Sequence, residues 1–307
     1  MRVLVVASYN KNRFAPFIVE QVNAITELGC EVDYYGIVGK GIKGYLKSYK
    51  LLKRKIKEFK PDIIHAHYGL SGLLANLQRS VPVVTTYHGS DINLPKVLKL
   101  SKIAMRLSAF NIFVSQRNVD IAKPRNKFLL LPCGVNLPEY IEADIIAIKK
   151  QLNWQENKRY VLFAGAFDNR VKNAPLAQES VGLLENVELI EFKGYTREQV
   201  TALFYAVDAF LMTSFTEGSP QVVKEAMACG CPIVSVDVGD VVERTKGLEG
   251  CYIVKRNPQD IADKLKEVFT FNSRTKGRER IIELGLTNDL VAKKLVEIYE
   301  GILNKEL

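Results

Sequence analysis

Short apolar runs alternate along this chain with stretches of helical spacing. That alternation constrains the fold more than any other feature. Residues 3–7 form a continuous apolar run, the mark of a strand covered on both faces. Residues 17–28 have helical spacing at Phe17, Val22, Ile25 and Leu28 and stop at Gly29, a natural helix terminator. A strand is expected over 32–37. A helix is expected over 45–59, with Leu46, Leu51, Leu52, Ile56 and Phe59 as its apolar set. Strands over 63–66, 83–86 and 112–114 come next, with helices over 70–78 and 97–107. The second half repeats the plan, with strands over 160–164, 187–192, 209–213 and Ile233–Val236. Its helices are expected over 175–184, 197–205, 221–229, 258–269, 274–284 and Asn288–Leu303.

Such alternation predicts an α/β fold, with parallel sheets covered by helices on both faces. Residues 131–138, with Pro132, Gly134 and Pro138, resist regular structure and mark a boundary. The expected architecture is two Rossmann-like doubly wound domains facing a central cleft. The first spans 1–140 and the second 141–287, with a helix in 288–307 packing back on the first. Ligands of such sheets bind beyond the carboxyl ends of the strands.

The 307 residues are 47% hydrophobic and 25% charged. That suffices for two cores and excludes disordered, collagen-like and disulfide mini-scaffold classes. No run reaches the roughly 18 apolar residues of a membrane span. The N-terminal apolar run is too short for a signal peptide, so a cytoplasmic location is expected. The five cysteines, Cys30, Cys133, Cys229, Cys231 and Cys251, include no Cys-x-x-Cys pair and read as reduced, buried thiols. Cys229-Gly230-Cys231 lacks the second pair that a metal site would need.

Charge is unevenly distributed. Residues 1–150 carry 23 Lys and Arg against 11 Asp and Glu; residues 151–307 carry 20 against 23. The first half is therefore expected to face something anionic. The densest stretch holds Lys40, Lys43, Lys47, Lys50, Lys53, Arg54, Lys55, Lys57 and Lys60, with Glu58 as its only acid. A basic amphipathic helix of this kind suits an anionic membrane surface, where each cation contributes about 1 kcal/mol. No nucleic-acid motif accompanies it, and nucleic acid is not an expected partner.

The most informative chemistry runs from 209 to 236. A strand leads into Phe215-Thr216-Glu217-Gly218-Ser219-Pro220, and a helix opens at Gln221. Ser219 is the expected N-cap and Pro220 the expected first helical residue. Gly218 lets backbone approach a ligand, and the helix N-terminus offers unpaired N–H groups to an anion. Glu217 lies just before that terminus, and Glu225 about one turn and a half into the helix. Taken alone, the spacing fits either a ligand site or a capped amphipathic helix with two incidental carboxylates.

Glu217-x7-Glu225, set in Glu-Gly-Ser-Pro and Lys-Glu-Ala-Met-Ala-Cys-Gly-Cys-Pro-Ile-Val, resembles the signature of retaining GT-B glycosyltransferases of family 4, the glycosyl transferases group 1. The resemblance implies a UDP- or GDP-sugar as co-substrate, no metal and no resident cofactor. It implies that Glu225 binds the ribose and Glu217 the transferred sugar. Backbone at Gly218, Ser219, Pro220, Gln221 and Val222 would hold sugar and phosphate, with Gly165 and Tyr195 as further donor contacts. The family usually has Arg directly after the Gly of the loop beyond the first strand of the second domain. Here Ala166 takes that place, and Arg170 and Lys172 are expected to neutralise the diphosphate from a longer loop. Thr86-Tyr87-His88-Gly89-Ser90-Asp91 resembles the motif whose His, here His88, reaches toward the donor sugar.

The usual Gly-rich turn after the first strand is missing from Asn12-Arg13-Phe14-Ala15-Pro16-Phe17. Arg13 is the expected substitute there, with Lys47, Lys50 and Arg54 as acceptor-side or membrane contacts. His65 and His67 share a strand face with no third ligand evident, so a structural or acceptor-side role is expected rather than a metal. The implied reaction is sugar transfer, with retention, to a glycan or lipid-linked acceptor in surface polysaccharide or glycolipid synthesis. A non-catalytic sugar-nucleotide-binding subunit and a glycosidase using Glu217 and Glu225 are the alternatives.

Overall fold

A computed structural model describes residues 1–10, 12–39, 41–125 and 127–307. The strands and helices succeed one another as β1 (Arg2–Ser8), α1 (Pro16–Glu27), β2 (Glu31–Ile37), α2 (Gly41–Phe59), β3 (Ile63–His67), α3 (Gly69–Asn76), β4 (Val83–Tyr87), α4 (Ser90–Asn93), α5 (Pro95–Leu107), β5 (Phe110–Phe113), α6 (Gln116–Ala122) and β6 (Phe128–Leu130). The chain continues through α7 (Glu142–Gln151), β7 (Arg159–Phe163), α8 (Ala174–Gly182), β8 (Val187–Ile190), α9 (Arg197–Ala206), β9 (Ala209–Met212), α10 (Gln221–Ala228), β10 (Ile233–Val236), α11 (Val241–Thr245), β11 (Cys251–Val254), α12 (Pro258–Phe271), α13 (Gly277–Glu283) and α14 (Asn288–Leu303).

These elements form two compact units, Met1–Gly134 with Asn288–Leu307, and Val135–Thr287. The first unit therefore ends several residues before the expected boundary at 140. Its six-stranded sheet has the order β2-β1-β3-β4-β5-β6, and the paired strands run parallel. Along β1, alternate residues serve opposite faces. Val3 and Val5 pack with Ile18, Val22 and Ile25 of α1 and with Leu295 and Ile298 of α14. Leu4 and Val6 pack with Leu52, Ile56 and Phe59 of α2 and Leu74 of α3. A strand buried on both sides must be apolar over its buried length, here Val3 to Ala7.

The second unit holds a five-stranded parallel sheet, β11-β10-β9-β7-β8. Both sheets reverse direction of winding beside their first strand, between β1 and β3 and between β7 and β9. Crevices at such switch points are where these folds bind ligands.

Several sequence expectations shift. Leu51, placed in the apolar set of α2, is 59% exposed. Lys40 lies outside the described residues, and so do the side chains of Lys43 and Leu46. The elements α4, α6, α7, α11, β6 and β11 go beyond the expectation: most are too short to show a period, and the ten-residue α7 carries only a weak apolar stripe. The final helical segment before Asn288 opens at Gly277 instead of 274, because Arg274 is otherwise employed. Its guanidinium donates to the carbonyls of Phe204, Val207 and Cys229. None of the five cysteines is in a disulfide, and burial raises the thiols of Cys229, Cys231 and Cys251 to about 12, 11 and 12. Such thiols are inert packing groups.

Candidate functional site

In the second unit, the loops after β7 and β9 meet at the switch point. The β7 loop passes Ala164, Gly165 and Ala166, then tightens into a 3-10 turn at Arg170–Lys172. Thr213, just past β9, donates its hydroxyl to the carbonyls of Lys172 and Asn173. The Phe215 amide donates to the Val171 carbonyl. Arg256 adds a bond to the Ser214 carbonyl from the far side. The two loops are thus fixed to each other through backbone.

That frame brings Lys172 Nζ to 2.7 Å from Glu217 Oε1. Their side chains are 17% and 18% exposed, so the pair stands at the surface of the site but is largely withdrawn from water. Gly165 makes room for it, since a Cβ there would lie 2.7 Å from Lys172 Cγ. Arg170 is exposed and makes no ion pair among the described residues. The expected pair of bases therefore separates: Lys172 joins Glu217, while Arg170 lies on the outer side of the turn. Ala166 is half-buried.

Glu217 leads into Gly218, Ser219 and Pro220, and α10 begins at Gln221. Ser219 is not the N-cap. Pro220 holds that position and supplies no side-chain cap, and Ser219 donates to Asp240 Oδ2 at 2.8 Å. Asp240 also pairs with Arg244 of α11. The start of α10 carries the partial positive charge of a helix N-terminus, which favours an anion beside it. Gly239 closes against this loop. Its φ is +61°, and a Cβ on it would meet the Gly218 carbonyl at 2.8 Å.

Glu225 lies on α10 and pairs with Arg197, the first residue of α9, at 2.8 Å. Both border a pocket with Val135, Asn136, Pro138 and Thr201. Val222 is half-buried against the core of the unit, as is Tyr195, whose hydroxyl is pushed up by burial. Arg197 and Arg256 were missed by sequence reasoning. Neither stands in a recognisable motif, and only the tertiary contacts reveal them.

In the first unit, His88 comes directly after β4, and its Nε2 lies 3.0 Å from His67 Nδ1. Its Nδ1 lies 3.8 Å from Cys133 Sγ. A third histidine does stand beside the His65–His67 pair, contrary to expectation. Even so, no group of three metal-ligating side chains occurs among the described residues. His65 is bound instead by Thr86, at 2.7 Å, and by the hydroxyl of Tyr299 on α14, at 2.6 Å. Burial lowers His65 to about 3 and His67 well below its usual range, so both are neutral. His67 Nε2 is buried without a partner. An unpaired lone pair costs less than an unpaired N–H, which favours the proton on Nδ1, donated to His88.

Asp91 anchors the backbone here, accepting from the amides of His88, Gly89 and Gly69. Burial nevertheless pushes its carboxyl up to about 6. Arg13, with Ser8, Phe14, Tyr68 and Ser90, lines a pocket beyond β1. Asn12 adopts φ +53°, the left-handed conformation a glycine would otherwise supply. On α2, Lys47, Lys50 and Arg54 are exposed.

The fold matches solved structures closely over its whole length. Sucrose-phosphate synthase from Thermosynechococcus elongatus superposes with a TM-score of 0.82 at 17% identity, covering 99% of this chain and 100% of that one. Anabaena HepE in complex with UDP-glucose gives 0.78 at 14% identity, covering 98% and 100%. Among curated relatives, the putative teichuronic acid biosynthesis glycosyltransferase TuaC of Bacillus subtilis is 28% identical over 227 residues, 64% of this chain. The match spans 58% of that relative's length. The N,N'-diacetylbacillosaminyl-diphospho-undecaprenol alpha-1,3-N-acetylgalactosaminyltransferase of Campylobacter jejuni is 21% identical over 338 aligned positions, covering 92% of this chain and 89% of its own. The model of Glycosyltransferase Family 4 matches residues 13–138, and that of Glycosyl transferases group 1 matches residues 143–270. With one model on each Rossmann-like sheet, and the fold of GT-B enzymes throughout, the chain belongs to the group 1, family 4 glycosyltransferases.

Proposed function

We propose that the chain transfers a sugar from a nucleoside-diphosphate sugar to an acceptor hydroxyl, with retention at the anomeric carbon. The observation that carries this reading is the Lys172–Glu217 pair, held at the sheet switch point beside the N-terminus of α10. A leaving diphosphate needs fixed positive charge where its own charge grows, and Lys172 with the α10 amides supplies it without a metal. Glu217 would accept from hydroxyls of the transferred sugar, and Glu225 from those of the ribose. The acceptor oxygen forms its bond to the anomeric carbon as the bond to the phosphate oxygen breaks. The acceptor's proton passes to the departing diphosphate. Arg170, on the exposed side of its turn, contributes long-range charge at most.

UDP is the favoured carrier, in line with the UDP-glucose bound by HepE. A lipid-linked acceptor in surface glycan assembly is favoured by the Campylobacter relative and by the basic face of α2. No helix among the described residues is long and apolar enough to cross a membrane. In this reading α2 lies on the cytoplasmic surface of the membrane.

Thermal melting against UDP, GDP, ADP, TDP and CMP tests the donor site. A ligand at 100 times its dissociation constant adds about 2.7 kcal/mol. The expected result is a shift with one diphosphate that Glu225→Ala abolishes. No shift with any of them would sink the reading.

A further inference from the structure

The helices α2, α3 and α5 lie side by side on one face of the first unit's sheet, while α1 and α14 pack together on the other. With helix axes 8–10 Å apart, α2 and α5 stand roughly 20 Å from each other across α3. Both carry the same surface pattern. In α2 it is Lys47-x-x-Lys50-Leu51-x-x-Arg54; in α5 it is Lys99-x-x-Lys102-Ile103-x-x-Arg106. Positions i, i+3, i+4 and i+7 fall on one helical stripe. All six cations are exposed. The aliphatic residue at the centre of each stripe is exposed too, Leu51 at 59% and Ile103 at 44%.

Each stripe thus centres one exposed aliphatic side chain among cations, and the two stripes share one face. That is what a helix lying in a headgroup layer presents. Acids are few on this face. Neither α3 nor α5 contains one, Glu58 of α2 is paired with Arg54, and Asp120 of α6 accepts from Gln116. At the end of α5, Lys102 and Arg106 line a concave pocket with Met105, Ala122 and, from the connection after α6, Lys123 and Arg125.

We propose that α5 is a second membrane-docking element, acting with α2 on one anionic phospholipid surface. Leu51 and Ile103 enter the headgroup layer, and the pocket at the end of α5 seats a headgroup phosphate. The inference rests on the reading of α2 as membrane-facing and adds to it a second contact. Two stripes roughly 20 Å apart define a plane, so the first unit would meet the bilayer in a single orientation. A lone helix leaves rotation about its axis free.

Cosedimentation of the full chain with phosphatidylglycerol–phosphatidylcholine vesicles tests this, with pure phosphatidylcholine as reference. At about one factor of five per cation, Lys99→Gln/Lys102→Gln/Arg106→Gln should weaken binding by up to about 100-fold. Lys47→Gln/Lys50→Gln/Arg54→Gln should weaken it somewhat less, because Glu58 already offsets Arg54. Ile103→Ser should weaken it several-fold in high salt, where charge is screened. Unchanged melting temperatures and unchanged UDP shifts would show that the variants fold. If the α5 variant sediments like the parent while the α2 variant does not, α2 docks alone and the inference falls. Binding to duplex DNA, or a pyrophosphate-induced melting shift lost in the α5 variant, with no vesicle binding, would overturn it in favour of a soluble anion. Absence of vesicle binding by the parent would remove the membrane reading altogether, while the UDP shift would judge the transferase reading separately.

Discussion

At the scale of single residues, the candidate donor site depends on one lysine and the space around it. Lys172→Ala leaves the Glu217 carboxylate largely buried without its cation. The expected destabilisation is about 1–2 kcal/mol. Loss of the charge opposite the leaving diphosphate should lower kcat about 100-fold or more. Parallel melting and turnover measurements separate the two effects. Gly165→Ala is a gentler probe of the same geometry. Its Cβ would press on the stem of Lys172, so that side chain must shift. Activity should fall about tenfold; a Gly165→Ala protein of parental activity would show that the position of the Lys172 stem does not limit transfer. A third residue, Asp91, acts on stability. The buried neutral His65 and His67 must gain protons on unfolding, so their contribution is lost as pH falls below 6.5. Asp91 works the other way. Its pKa rises from 3.8 to about 6 on folding, so its contribution grows as pH falls through that window. Asp91→Asn should therefore make the acid loss of melting temperature steeper between about pH 6 and 4. Parallel curves for the two proteins would contradict the assignment.

At the scale of elements, α10 is positioned by segments that come after it in the chain. The loop after β10 carries Gly239 at φ +61°, against the carbonyl of Gly218. Asp240 then takes the Ser219 hydroxyl and pairs with Arg244, so α11 fixes the entrance of α10 from behind. Gly239→Ala meets both a left-handed backbone and a carbonyl that cannot yield. It should cost about 1–2 kcal/mol and move the Glu217–Gly218 segment. Donor affinity, read by the UDP melting shift, should drop more than global stability does. The helix α14 shows the same dependence of element on context. Its apolar stripe, Val291, Leu295 and Ile298, was legible as a helix, and its buried residues complete the core beside α1. Leu295→Ala should destabilise by about 2–4 kcal/mol in equilibrium denaturation.

At the scale of the whole molecule, the chain leaves the first unit at Gly134 and returns to it at Asn288, so the second unit is one continuous segment. Expressed as residues 135–287, that segment has its own sheet and core and should fold alone. It should keep the UDP shift if Lys172, Glu217 and Glu225 suffice for donor binding; a folded but unresponsive fragment would show that they do not. The sequence by itself determined the class of fold, because a strand covered on both faces must be apolar and an amphipathic helix must repeat about every 3.6 residues. It also marked Glu217, Glu225 and the start of α10, since strand, Gly-containing turn and helix are contiguous there. Relations between distant residues lay beyond it. Nothing local in Arg197, Arg256 or Tyr299 announces a partner 28, 42 or 234 positions away. Nor could spacing tell Lys172 from Arg170, or bring His88 to the His65–His67 pair. Those outcomes depend on which strands the crossovers place side by side, and only the tertiary structure decides that.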